Sequence, residues 1–136
     1  MRLAVLLCSL GAAPSLATEA VDAGPRAMAA VRKLEPREFR AALENARGSG
    51  KFTLVDVREP TETAGGSVQG AELLPYNSGV FAREHGKIPK DRPVLVYCAA
   101  GRRAGLAGEM LVAEGWKDVT VLSGGGYEEL RSAQAK

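Results

Sequence analysis

Apolar positions in this chain fall into short continuous runs, separated by segments in which they recur at helical spacing. Phe52–Val57, Val94–Tyr97 and Val119–Leu122 are largely β-branched or aliphatic and are bounded by Gly, Pro or charged residues. Runs of that kind read as strands buried on both faces. Phe39, Ala42, Leu43 and Ala46 share one helix face, with Pro36 suited to the first turn and Gly48-Ser49-Gly50 as the stop. Ala104, Ala107, Met110, Leu111 and Ala113 predict a second apolar face on a helix closed by Gly115. Weaker signals fill the gaps. A first strand lies near Val31–Leu34, and Ala71–Pro75 is a short strand stopped by its proline. Tyr76–Lys87 holds a helical turn or two, and Tyr127–Gln134 is a terminal helix. Strands alternate with helices throughout, which predicts an α/β fold: a parallel sheet with helices on both faces. Ligands of such sheets sit at the carboxyl ends of the strands.

The first residues stand apart from this pattern. Met1-Arg2 is a short basic start, Leu3–Leu16 is apolar and small, and Ser15-Leu16-Ala17 offers small residues for cleavage after Ala17. Residues 1–17 therefore read as a secretory signal peptide. The run is shorter than the roughly 18–20 residues of a membrane span, and Gly11 and Pro14 break it. Leu7 before Cys8 disfavours a lipid-attachment signal. Residues 18–30, Ala-rich with scattered charge, read as a linker, and 31–134 as a single domain. The expected location is the periplasm or the exterior, without stable membrane association after cleavage. With 136 residues, 46% hydrophobic and 25% charged, the composition is that of one soluble domain. A net charge of +2 gives no ground for nucleic-acid binding, and nothing implies more than a monomer.

Removal of the signal peptide takes Cys8 with it and leaves Cys98 alone. A lone cysteine in an exported protein points to a reactive thiol or an intermolecular bond. The competing reading is a buried structural cysteine. Its position favours reactivity, because Cys98 ends an apolar strand and is followed by Ala99-Ala100-Gly101-Arg102-Arg103 and then a helix. The thiolate is the nucleophile, and an ordinary thiol of pKa about 8.5 is mostly protonated at neutral pH. Backbone N–H groups of residues 99–103, the helix N-terminus and the two arginines would all favour the anion and bind an anionic substrate. Arg102 and Arg103 stand at the helix end where cations are disfavoured, which a bound anion would explain. Asp56 and Arg58 leave a strand on the same side and read first as structural support for a loop. His85, the one histidine, reads as a solvated surface residue. Nothing pairs it with Cys98.

The loop Cys98-Ala99-Ala100-Gly101-Arg102-Arg103 resembles the C-x-x-G-x-R active loop of rhodanese-like sulfurtransferases. Leu54–Pro60 is similar to that family's D-V-R-E segment, and Gly66–Pro75 to its G-H-I-P-G-A-x-N-I-P stretch. Gly115–Val119 and Leu122–Gly125 resemble its G-[FW]-x-x-V and L-x-G-G segments. Four such segments in order are far more specific than any one. Ser67, Val68 and Gln69 depart from the second pattern, and Tyr127 and Leu130 stand where many relatives place a tryptophan.

The resemblance implies a five-stranded rhodanese domain like the small periplasmic sulfurtransferases, including the phage-shock type. It implies sulfur transfer from thiosulfate or a similar small anionic donor to cyanide or a thiol, through a persulfide on Cys98, with no cofactor or metal. Residues 99–103 would bind the donor and cradle the persulfide, Arg103 foremost, and Asp56 and Arg58 would support the loop. Two alternatives remain. A persulfide carrier serving a protein partner would use the same residues. A phosphatase or arsenate reductase of related fold needs five residues between cysteine and arginine, and here four separate Cys98 from Arg103.

Overall fold

The computed structural model describes residues 30–133. The signal-peptide reading, nearly all of the linker and Gln134 lie outside them. Strands β1 (Arg32–Leu34), β2 (Thr53–Asp56), β3 (Glu72–Leu73), β4 (Val94–Tyr97) and β5 (Val119–Leu122) form one sheet in the order β1-β5-β4-β2-β3. Every neighbouring pair is parallel, as expected from the alternation of elements. The helices are α1 (Pro36–Ser49), α2 (Pro60–Thr63), α3 (Val80–Glu84), α4 (Arg102–Ala113) and α5 (Tyr127–Ser132); a 3-10 turn at His85–Lys87 prolongs α3.

Every residue of β2, β4 and β5 is buried, which is why these strands read as largely apolar runs without alternation. Alternate side chains serve opposite faces. Val55, Val57, Val94, Val96, Cys98, Val119 and Val121 pack with Phe81 of α3 and with Ala104, Ala107 and Leu111 of α4. Leu54, Leu95, Tyr97 and Leu122 pack with Phe39 and Leu43 of α1 and with Leu130 of α5. Cys98 therefore belongs to the α4 face, and Tyr97, one residue earlier, to the other. Full burial of Phe39 and Leu43 contributes about 1.5–3 kcal/mol each, and this anchors α1. Pro36 opens that helix. Gly50 closes it in the left-handed conformation, donating its N–H to the carbonyls of Ala46 and Arg47.

Three features of the fold depart from the sequence pattern. β1 is short and edge-placed, with Arg32 and Lys33 exposed, so its apolar signal is faint. In α4 the buried face includes Gly108, while Ala113 is exposed. A Cβ at Gly108 would lie 2.5 Å from Val121 Cγ1, so the helix approaches the sheet too closely there for a side chain. Third, His85 is not a solvated residue. Its side chain is 11% exposed, stacks on Phe81 at 5.4 Å and tilts against Trp116 at 5.9 Å. Nε2 meets the Glu114 carboxylate at 2.7 Å. The glycine and lysine beside it suggested exposure, but the ring packs between α3 and the end of α4.

Candidate active site

Cys98 is the first residue beyond β4, at the carboxyl end of a central strand. The chain turns at once. Gly101 has φ 98°, a conformation that glycine adopts without strain, and α4 begins at Arg102. This turn folds the loop back over the sulfur. The N–H groups of Gly101 and Ala104 lie 3.0 and 3.3 Å from Cys98 Sγ and donate to it. The residue itself is 1% exposed, whereas Ala99, Ala100 and Arg102 on the rim are exposed. The thiol is thus buried, and it sits at a helix N-terminus under two donors. Charge on the sulfur is stabilised by such N–H groups and by the positive end of α4.

A second loop fixes the first from outside. The Tyr127 N–H donates to the Cys98 carbonyl at 2.9 Å. Gly126, just before it, passes so close to the Ala99 carbonyl that no side chain fits between them. This segment follows β5, the neighbour of β4, so the sheet order itself brings the two loops together.

Asp56 and Arg58 leave β2, the other neighbour of β4, and form a buried pair, 1% and 4% exposed. Both Asp56 carboxylate oxygens accept from the Arg58 guanidinium, at 2.8–3.1 Å, and Oδ1 also accepts the Arg58 N–H at 3.0 Å. Two further guanidinium N–H groups donate to the Glu62 and Gly66 carbonyls at 3.1 and 2.8 Å. The pair thus holds the segment around α2 and does not touch the Cys98 loop directly. On its other side, the Arg58 guanidinium lies 4.1 Å from the Tyr127 ring centroid, a cation–π distance. Tyr97 completes the buried group. Its hydroxyl accepts the Val68 N–H at 2.9 Å, and burial pushes its phenol well above the ordinary value.

The sequence-predicted loop residues are together, but the two arginines differ. Arg102 is exposed. Arg103 donates Nη1 and Nη2 to Glu62 Oε2 and Oε1 at 2.8 and 2.9 Å. Glu62 did not stand out in the sequence. It lies 41 residues from Arg103, on a helix of four residues, and its one sequence signal was a Glu three positions after Glu59, the spacing of a capping box. Half of that box is present: the Glu59 N–H donates to Glu62 Oε2 at 3.0 Å, while the Glu62 N–H goes to the Glu59 backbone carbonyl at 2.8 Å. Hydrogen bonding from Arg103 holds the Glu62 carboxyl down to about 2.

Known proteins resemble this chain in sequence and in fold. The Rhodanese-like domain family matches residues 38–132. An uncharacterized protein of Bacillus subtilis, YqhL, is 35% identical over 95 residues, covering 70% of this chain and 69% of that one. A sulfurtransferase of Allochromatium vinosum is 39% identical over 72 residues, covering 53% of this chain and 65% of its own length. Among solved structures, a rhodanese-related protein from Thermoplasma volcanium superposes with a TM-score of 0.61 at 26% identity, covering 77% of this chain and 95% of that one. A five-stranded parallel sheet, a cysteine loop capping a helix and a family match over most of the chain together show that this protein belongs to the rhodanese-like family.

Proposed function

We propose that this protein is a sulfurtransferase that carries sulfane sulfur as a persulfide on Cys98. The observation that carries the proposal is the sulfur's position, at the N-terminus of α4 under the Gly101 and Ala104 N–H groups. The donors already made to Sγ favour the nucleophilic thiolate and would favour the persulfide anion after transfer. The Arg102 and Arg103 N–H groups, in the first turn of α4, have no earlier carbonyl within the helix to serve and would be free to donate to the added sulfur. With thiosulfate, Cys98 Sγ attacks the outer sulfur, the donor's S–S bond breaks, and sulfite leaves with the electron pair. Cyanide or a thiol then removes the sulfur and regenerates the thiolate. Asp56 and Arg58 support this loop by two indirect routes, through the Glu62 backbone and through Tyr127.

The sulfurtransferase relative supports the reaction class. The leader-like start of the sequence supports a periplasmic or secreted setting, in which a small single-domain enzyme of the phage-shock type would act. Turnover with thiosulfate and cyanide, measured for wild type and Cys98→Ser, tests the proposal. Activity in the wild type and none in the variant is expected. Sulfur loading without turnover would instead identify a carrier for a protein acceptor, and neither loading nor turnover would overturn the proposal.

A further inference from the structure

The Arg103 guanidinium does not wait open for an anionic donor. Its two terminal nitrogens are spent on the two oxygens of Glu62, in a fork-on-fork arrangement that is geometrically specific. Nor is this a loose surface pair. The Arg103 and Glu62 side chains are 17% and 33% exposed. Glu62 is held at both ends, by the Glu59 N–H on its carboxylate and by Arg58 Nη1 on its carbonyl. Arg58 is in turn fixed by buried Asp56. The chain Asp56–Arg58–Glu62–Arg103 runs from the end of β2 to the first turn of α4 and sums to no net charge. Glu59 adds a further negative field at Arg103. The loop's solvent-facing cation is therefore Arg102.

A dianion approaching an anionic sulfur meets repulsion that an open Arg103 would offset and a neutralised one offsets poorly. Resting on the sulfur-transfer reading above, we propose that Glu62 is a specificity-determining positioning residue. By closing Arg103 into a pair, it sets the site for sulfur donors of low charge, the persulfides of small thiols, over dianionic thiosulfate. In that reaction the Cys98 thiolate attacks the outer sulfur of R–S–SH and the donor's S–S bond breaks. The thiolate RS⁻ leaves with the electron pair, and the proton stays on the new Cys98–S–SH. Atoms, charge and oxidation level balance without a further reactant.

The test compares kcat/KM for thiosulfate and for the persulfide of 2-mercaptoethanol in wild type, Glu62→Gln and Glu62→Asp. Glu62→Gln should shift the ratio toward thiosulfate by about fivefold or more, through a lower KM, as expected for one charge acting over a few ångströms at a partly exposed site. Glu62→Asp keeps the carboxylate and should stay near the wild-type ratio. A purely structural role would lower both donors' rates together. An unchanged ratio, or one shifted away from thiosulfate, overturns the proposal. Thiosulfate binding to Cys98→Ser, with and without Glu62→Gln, separates this result from any failure of sulfur transfer. Tighter binding in the double variant supports the role of Glu62 even where turnover is absent, and equal or weaker binding refutes it.

Discussion

Gly126→Ala tests how tightly the loop after β5 clamps the cysteine loop. The added Cβ would fall 1.8 Å from the Ala99 oxygen, 2.1 Å from its carbonyl carbon and 2.7 Å from the Ala100 nitrogen. All three are backbone atoms, so no side chain can swing aside. Relief requires the two loops to part by more than about 1 Å, because contacts under 3.0 Å are not sustained. Parting them stretches the Tyr127 N–H bond to the Cys98 carbonyl, now 2.9 Å. Overpacking at about 1–3 kcal/mol and a lost hydrogen bond at about 1 kcal/mol give a destabilisation of about 2–4 kcal/mol. For a domain of this size that corresponds to a fall in Tm of about 10–20 °C. The same shift displaces the Cys98 nest, and a misplacement of about 1 Å can cost about 100-fold in rate. Thermal denaturation and the rate of sulfur loading from thiosulfate measure the two effects. Gly48→Ala is the control, since its Cβ meets nothing within 4 Å inside helix α1, and it should stabilise by about 0.5–1 kcal/mol. If Gly126→Ala loads sulfur as fast as wild type with an unchanged Tm, the inter-loop clamp is not what holds the cysteine loop.

Other consequences follow from the same contacts. Arg58→Ala leaves Asp56 buried without its partner and should cost about 3–5 kcal/mol by denaturant unfolding. The Glu62 carboxyl is depressed when folded, so its stabilising contribution is present above its unfolded value of 4.5 and is lost as pH falls from there through about 2. Solvent screening at this partly exposed pair limits the effect to about 1 kcal/mol; the stability difference between wild type and Glu62→Gln should therefore shrink below pH 4.5. His85 has the opposite sign. Its hydrogen bond to Glu114 raises it above the ordinary value of 6.5, so its contribution is full below that value and disappears as pH rises through the folded one. Titration of the His85 ring by NMR should show the raised midpoint, and Glu114→Gln should return it toward the ordinary value.

The parts of the fold that could be read from sequence were those written locally. β2, β4 and β5 are buried on both faces and so spell themselves out as apolar runs, and Pro36 and Gly50 mark the ends of α1. The cysteine loop could be read because Cys98, Gly101 and Arg103 lie within six residues and their spacing is the signal. What escaped notice depends on which strands are neighbours. Glu62 meets Arg103 only because β2 lies beside β4, and Gly126 meets Ala99 only because β5 lies on β4's other side. Nothing near either residue in sequence records that adjacency. His85 failed for a related reason. Its polar neighbours describe the turn it sits in, while its environment is set by Phe81 on one side and by Glu114 and Trp116, 29 or more residues later, on the other. Arg103 was legible as a cation near the cysteine but not as one already paired.

The proposed intermediate is a sulfur atom attached to Cys98, and intact-protein mass spectrometry reads it directly. Residues 18–136, reduced and then incubated with thiosulfate or with the persulfide of 2-mercaptoethanol, should gain the mass of one sulfur atom. Proteolytic mapping should place it on Cys98, and cyanide should remove it. A protein that gains no sulfur from either donor, or a Cys98→Ser variant that gains it equally, would contradict the assignment of Cys98 as the sulfur carrier.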